Sequence, residues 1–335
     1  MNPLTFREYD IRGIAESERP RPMRDRVFPK SLRLTVLLAA AVLASCSAGA
    51  RAQRSAAPAR EIPFELRGGV VLVPVQVGQS RILRIIMDTG MGFDGVLLYE
   101  PLPESSVAGP LYSVRIPGAG TGEPAGGLMS ESASFRAGAV EFKGQRLVWL
   151  VDSSMSGFPS DGVMGYSLFG HWQVEIDYDR SRIVLHEPGS FRADSSWTAL
   201  PMELHKNSMP WVKLRTSIDG AESLELDCYL DLAANDEVVF LVRDDAKFRM
   251  PEGLEPLYLG RGLSGDVHGW RGRAKWVELG PFRFEDVAVA YAPDEARSKQ
   301  PGADAVVCGS LLCRLNTVYD YAGGRMYLRP RGRKP

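Results

Sequence analysis

At 335 residues and 44% hydrophobic content, the chain holds enough apolar material for two domains with packed cores. Its 40 Lys and Arg nearly balance 41 Asp and Glu, so no overall charge draws it to nucleic acid. With 34 Gly, 23 Pro and few long helical periodicities, the composition favours turns joining many strands.

The first segment is a decoy. "FREYDIRGIAE" (Phe6 to Glu16) resembles the opening of bacterial phosphomannomutases and phosphoglucomutases, but no phosphoserine loop follows anywhere in the chain. Residues 1–22 lie upstream of an export signal and read as a misassigned start. Residues 23–45 carry a basic stretch, the short apolar run "LTVLLAAAVLA" and small residues, the pattern of a secretory signal. "LASC" (Leu43 to Cys46) resembles the lipobox of bacterial lipoproteins, which implies that Cys46 is acylated and starts the mature chain. The rival is ordinary cleavage after Ala50-Arg51-Ala52. Both predict export to the periplasm or cell envelope, the first with a membrane anchor.

Removing residues 1–45 leaves 32 basic and 36 acidic residues, a mildly acidic body. Three further cysteines, Cys228, Cys308 and Cys313, would then meet an oxidising compartment, for which one disulfide and one free thiol is the simplest expectation. No Cys or His spacing suggests a metal site, and His171, His186, His205 and His268 are scattered.

Residues 46–61 are small and polar at first and read as a tether. From Ile62, "GGVVLVPVQV", the turn "GQS" and "RILRIIMD" read as a β-hairpin. The same order returns later. "MPWVKLRTSI" meets an Asp219-Gly220 turn, and "AESLELDCYLD" runs back with Leu224, Leu226, Cys228 and Leu230 on one face. The second run ends at Asp231, in the place that Asp88 holds in the first. Downstream, "DGVMGYSLFGHWQVEIDYDRSRIVLHEP" is matched by "AVVCGSLLCRLNTVYDYAGGRMYLRP". Asp177-Tyr178 and Asp320-Tyr321 mark the same hairpin strand, and Gly165 corresponds on this reading to Gly309. An ordered series at near-equal spacing marks a tandem duplication, with lobes at 62–195 and 196–330.

Each half resembles one lobe of the retropepsin and pepsin superfamily, and the exported, duplicated form resembles bacterial aspartyl protease family proteins. The resemblance covers roughly residues 62–330. It implies an all-β fold of two six-to-eight-stranded lobes related by a pseudo-twofold axis, with a peptide-binding cleft between them. It also implies a monomer that needs no metal or cofactor. Two carboxylates, Asp88 and Asp231, would hold one water; the ionised one takes its proton while the protonated one donates to the scissile carbonyl. In the family the Thr89 hydroxyl bonds backbone across the lobe interface. Gly90 lets an N–H approach the carboxylate without a Cβ in the way.

The second half-site departs from that pattern. In "DLAAND" Leu232 stands where Thr or Ser is expected, and Ala233 where Gly is. Leu232 brings no hydroxyl, and Ala233 brings a methyl toward the carboxylate. Three readings follow. The loop tolerates the changes and the protein is an aspartic endopeptidase; or it is a catalytically degraded peptide-binding lipoprotein; or Asp88 pairs with its copy in a dimer, although the tandem lobe already occupies that docking face.

Between each Asp and its downstream glycine lies a glycine-rich segment, Ile116 to Ser132 and Leu259 to Trp276, where retropepsin-like lobes carry a flap hairpin. Other patterns fail. Gly118, Gly120 and Gly122 lack the Lys-Ser/Thr of a phosphate loop, and "GYSLFG" misses the spacing of a nucleophile elbow. Asp177 and Asp320 sit in closing hairpins, where strand-end polar roles are expected. The tail "RPRGRKP" reads as a solvated basic end.

Overall fold

The structure, a computed structural model, describes residues 60–103, 109–152, 155–220, 222–297 and 300–332. The export signal, the tether up to residue 59, the Phe6–Glu16 stretch and Cys46 lie outside the described residues.

The first half runs through β1 (Arg60–Pro63), β2 (Glu65–Arg67), β3 (Val70–Val77), β4 (Leu83–Met87) and β5 (Gly95–Leu98). It continues through β6 (Tyr112–Ile116), β7 (Ala125–Ala137), β8 (Val140–Leu150) and β9 (Gly162–Met164), then α1 (Tyr166–Phe169), β10 (Gln173–Asp177) and β11 (Arg182–His186). The second half repeats this. Its strands are β12 (Thr198–Pro201), β13 (Glu203–Leu204), β14 (Pro210–Ser217), β15 (Leu224–Asp231) and β16 (Val238–Val242). There follow β17 (Pro256–Gly262), β18 (Gly265–Leu279), β19 (Phe282–Pro293), α2 (Asp294–Arg297), β20 (Ala305–Cys308), α3 (Gly309–Leu312), β21 (Leu315–Asp320) and β22 (Arg325–Pro330).

Period-two patterning explains the strands. Along β3, Val71, Val73, Val75 and Val77 fill the lobe interior, while Val70 and Leu72 join a second apolar cluster on the other face. Each lobe closes on itself. In the first, β3-β4-β9-β5-β8-β7 return to β3; in the second, β14-β15-β20-β16-β19-β18 return to β14. Within each barrel the late strand is inserted between two early ones. β9 runs parallel to β4 and antiparallel to β5, as β20 does to β15 and β16. A third sheet, β1-β11-β10-β21-β22-β12, takes three strands from each half and joins them through the antiparallel β10–β21 pair. The architecture is all-β and bilobal, two closed six-stranded barrels about a pseudo-twofold, consistent with a pepsin-like fold.

Three details differ from expectation. First, β1 starts at Arg60, ahead of the expected lobe start at Ile62, because it pairs with β11. Second, all three described cysteines are free thiols. On the parallel pair β15–β20, Cys228 lies opposite Ala305 and Cys308 opposite Asp231, a stagger that sets the two cysteines on opposite faces. Their Cα atoms are then roughly 10 Å apart along the strands, beyond the reach of a disulfide. Third, the basic tail is partly tied down: Arg331 donates to the Cys313 and Tyr178 carbonyls at 3.0 and 3.2 Å.

The closing hairpins use their acids structurally. Buried Asp177 accepts from the Arg180 N–H and the Arg180 and Arg182 guanidiniums at 3.1–3.2 Å, and Asp320 accepts the Gly323 N–H at 2.9 Å. Beside them, Asp179 of the first half accepts from Asn316, Gly332 and Arg331 of the second at 2.7, 3.0 and 3.3 Å. Partial burial works against its charge, but these three donors outweigh it and hold its carboxyl below the usual range. A carboxyl depressed by folding stabilises above its unfolded pKa and ceases to do so as pH falls through the folded value. Asp179→Ala should therefore lower the thermal midpoint by roughly 2–6 °C at neutral pH. The difference from wild type should close as pH drops below about 4, which thermal melts across pH will measure.

Candidate active site

Asp88 leaves the end of β4 with its N–H donating to the Met164 carbonyl at 2.8 Å, so the inserted strand fixes the loop from the side. Its Oδ1 accepts the Gly90 N–H at 2.6 Å. A Cβ at Gly90 would come within 2.9 Å of that oxygen, and one at Gly165 within 1.9 Å of the Asp88 carbonyl. Asp231 ends β15 in the same manner, its Oδ1 accepting the Ala233 and Ala234 N–H groups at 2.9 and 3.2 Å. Both carboxylates are buried, at 0% and 1% exposure.

Thr89 joins the two loops. Its hydroxyl donates to the Leu230 carbonyl at 2.8 Å and accepts the Leu232 N–H at 3.2 Å, so it grips the residues on either side of Asp231. The link is one-sided, since Leu232 has no hydroxyl to return. Its side chain is instead fully buried in the main apolar core. Ala233 is also accommodated. It is not among the residues with positive φ, and its N–H still reaches the carboxylate, at 2.9 Å against 2.6 Å for Gly90. Its methyl packs into the first lobe's outer cluster with Met91 and Phe93.

The register corrects one correspondence. Met87 lies opposite Met164 and Leu230 opposite Val307, while Asp231 lies opposite Cys308. Gly165 and Cys308 each precede the short helix of their lobe. The structural partner of Gly165 is thus Cys308, at the same spacing along the chain that separates the two aspartates. Gly309 is instead the partner of Tyr166; a Cβ there would meet the Gly69, Ala234 and Leu232 carbonyls at 2.6–3.0 Å. The second loop consequently has a buried thiol beside Asp231 where the first has no side chain. Burial pushes the Cys308 thiol well up, so it is neutral.

A further charge in the second lobe was not evident from motifs. Arg297, on α2 and 3% exposed, places Nη2 3.9 Å from Asp231 Oδ2 and donates from Nη1 to the Tyr229 hydroxyl at 3.0 Å. Burial lowers its pKa to about 10, which leaves it cationic at neutral pH. At the same spacing in the first half the sequence has Ser154, which carries no charge. The segment "APDEARSKQPG" shows no periodicity that would mark an inward-facing cation; only the contrast between the two halves signals it.

Both glycine-rich segments are hairpins, β6–β7 and β17–β18, and their tips meet. The Ser264 N–H donates to the Ala119 carbonyl at 2.9 Å, the Gly122 N–H to the Ser264 carbonyl at 2.8 Å, and the Gly118 N–H to Ser264 Oγ at 3.2 Å. Gly120 adopts φ +112°, and a Cβ there would lie 2.3 Å from the Ser264 carbonyl, so this crossing requires glycine. The tips also exchange partners: Leu263 packs into the first lobe's outer cluster and Ala119 into the second's. A larger cavity of about 500 Å³, between Arg81, Tyr99, Phe158 and Asp161, is lined by neither aspartate.

The remaining candidates fall away. Ser167 accepts the Gly95 N–H and donates to Gln145, a structural role. His171, His186 and His205 each contact a carboxylate, and His268 meets Tyr258 edge-on. Among the described residues no group of three His, Cys, Asp or Glu side chains is placed to hold a metal.

No protein-family model matches the chain, and no curated protein matches it in sequence.

If Thr89 carries the junction, Thr89→Val keeps the branched shape and strands the Leu230 carbonyl and Leu232 N–H. Urea unfolding should then show a loss of about 2–4 kcal/mol with an unchanged m-value.

Proposed function

We propose that the chain is an aspartic-type endopeptidase whose active site is shared by Asp88 and Asp231. The observation that carries this reading is the junction itself. Two buried carboxylates end equivalent strands of two pseudo-symmetric lobes, and Thr89 ties their loops together. Burying two acids costs about several kcal/mol unless their environment offsets it, a cost that a purely structural protein has no evident reason to bear.

The chemistry follows from one proton shared between two acids. The ionised carboxylate takes a proton from water as the water oxygen bonds to the peptide carbonyl carbon. The protonated carboxyl gives its proton to the carbonyl oxygen, forming a neutral diol. Return of a proton to the amide nitrogen then lets the C–N bond break. The two hairpins act as a pair of lids whose joined tips must part to admit an extended peptide and then exclude water around it. Asp88→Asn and Asp231→Asn should each abolish cleavage of a diverse peptide library while leaving the thermal midpoint near or above wild type. Wild type should be inhibited by a statine peptide that mimics the diol. Absence of any cleavage from acid to neutral pH, with peptide affinity unaltered in Asp88→Asn, would instead establish a non-catalytic peptide binder.

We place the protein in the cell envelope, anchored by lipid at Cys46, on the strength of the Leu43–Cys46 sequence and the signal-like segment before it. Labelled palmitate should enter the wild-type chain in a bacterial host and be absent from Cys46→Ala, which would appear in the soluble fraction.

A further inference from the structure

Resting on the endopeptidase reading, the geometry points to Arg297 as a positioning residue that keeps the negative charge of the pair on Asp231, making Asp231 the base and Asp88 the proton donor. A symmetric pair of loops would leave the shared proton free to sit on either acid. These loops are not symmetric. Asp231 Oδ1 accepts two backbone N–H groups, and its other oxygen faces a guanidinium at 3.9 Å, whereas the sequence of the first half has at the same spacing Ser154, which carries no charge. A cation about 4–6 Å from a carboxylate favours its ionised form by about 1–3 pH units.

The surroundings strengthen the effect. Arg297 is held by Tyr229 from β15, and the Cys308 thiol from β20 is neutral. Asp236, in the loop beyond β15, is paired with Arg271 of β18 at 2.8 Å; Arg261 of β17 is engaged by Asp266 at 2.6 Å. Asp294 and Glu295 lie on the same turn as Arg297, intermediate and exposed in turn. Of these acids, only Asp231 is as deeply buried as Arg297. Under the second hairpin, Arg297, Asp236, Val239, Leu259, Val267 and Ala119 enclose a cavity of only about 20 Å³, which leaves room for roughly one water. With so little solvent nearby, the attraction is weakly screened.

The test needs no turnover. With aspartate labelled at the side-chain carboxyl carbon, NMR titration of wild type, Asp88→Asn and Asp231→Asn assigns the two resonances. Asp231 should ionise at lower pH than Asp88 in wild type. In Arg297→Met its midpoint should rise by at least about one pH unit, and in Arg297→Lys it should stay near wild type. Where cleavage is measurable, both limbs of its pH profile should move to higher pH in Arg297→Met. The assignment is overturned if Asp88 is the stronger acid in wild type, a result that does not depend on Arg297→Met folding. It is equally overturned if the Asp231 midpoint is unmoved in a folded Arg297→Met. Failure of the endopeptidase reading would appear differently, as absent cleavage with these titrations as expected.

Discussion

The Thr89 hydroxyl, donating to the Leu230 carbonyl and accepting the Leu232 N–H, is the contact on which the rest of the site depends. It sets the position of one acid loop against the other, and the inserted strands β9 and β20 then brace each loop within its own barrel. Two identical loops would make this link twice. Here the return half is gone, and magnitudes indicate why the junction stands. Two hydrogen bonds contribute about 0.5–1.5 kcal/mol each, and full burial of a leucine about 1.5–3 kcal/mol. Leu232 lies in the main core at 0% exposure, so apolar packing offsets the hydroxyl it replaced.

The same exchange runs through the second lobe. Ala233 for Gly90, Cys308 for Gly165 and Arg297 for Ser154 all fall around Asp231, while the first loop keeps Asp-Thr-Gly intact. Duplication makes such divergence cheap, because a dimer of identical lobes must carry every change twice, whereas a tandem chain can alter one side alone. A shared proton distributed between unlike environments is no longer ambiguous, so asymmetry in the loops is compatible with acid–base chemistry and can direct it.

Much of this was legible in the residues. The hairpins around Gly78 and Gly220, the near-equal spacing between the two halves and both aspartates follow from period-two patterning and from order repeated along the chain. What escaped depends on distance across the fold. The pairing of Gly165 with Gly309 matched residue type, but strand register pairs Gly165 with Cys308, and register is set by hydrogen bonding to β4 and β15 rather than by identity. The expected disulfide, whose pairing the sequence left open, is absent among the three described cysteines, and Cys228 and Cys308 occupy neighbouring strands but opposite faces. Arg297 sits in a short loop-like turn, where no periodicity distinguishes an inward cation from a solvated one.

The paired hairpins are tied to the turn that carries Arg297. Each tip completes the other lobe's outer cluster, so opening uncovers apolar surface on both sides at once and is opposed by the burial of Ala119 and Leu263. The first tip also donates from the Gly120 N–H to the Ala296 carbonyl at 2.7 Å, one residue before Arg297. The joined tips therefore fasten the very turn that carries the cation. On the proposed reading, the pull of Arg297 on the carboxylate would be strongest with the hairpins shut and diluted by solvent if they part. A lid that closes over a peptide would in this way also sharpen the division of labour between the two acids beneath it.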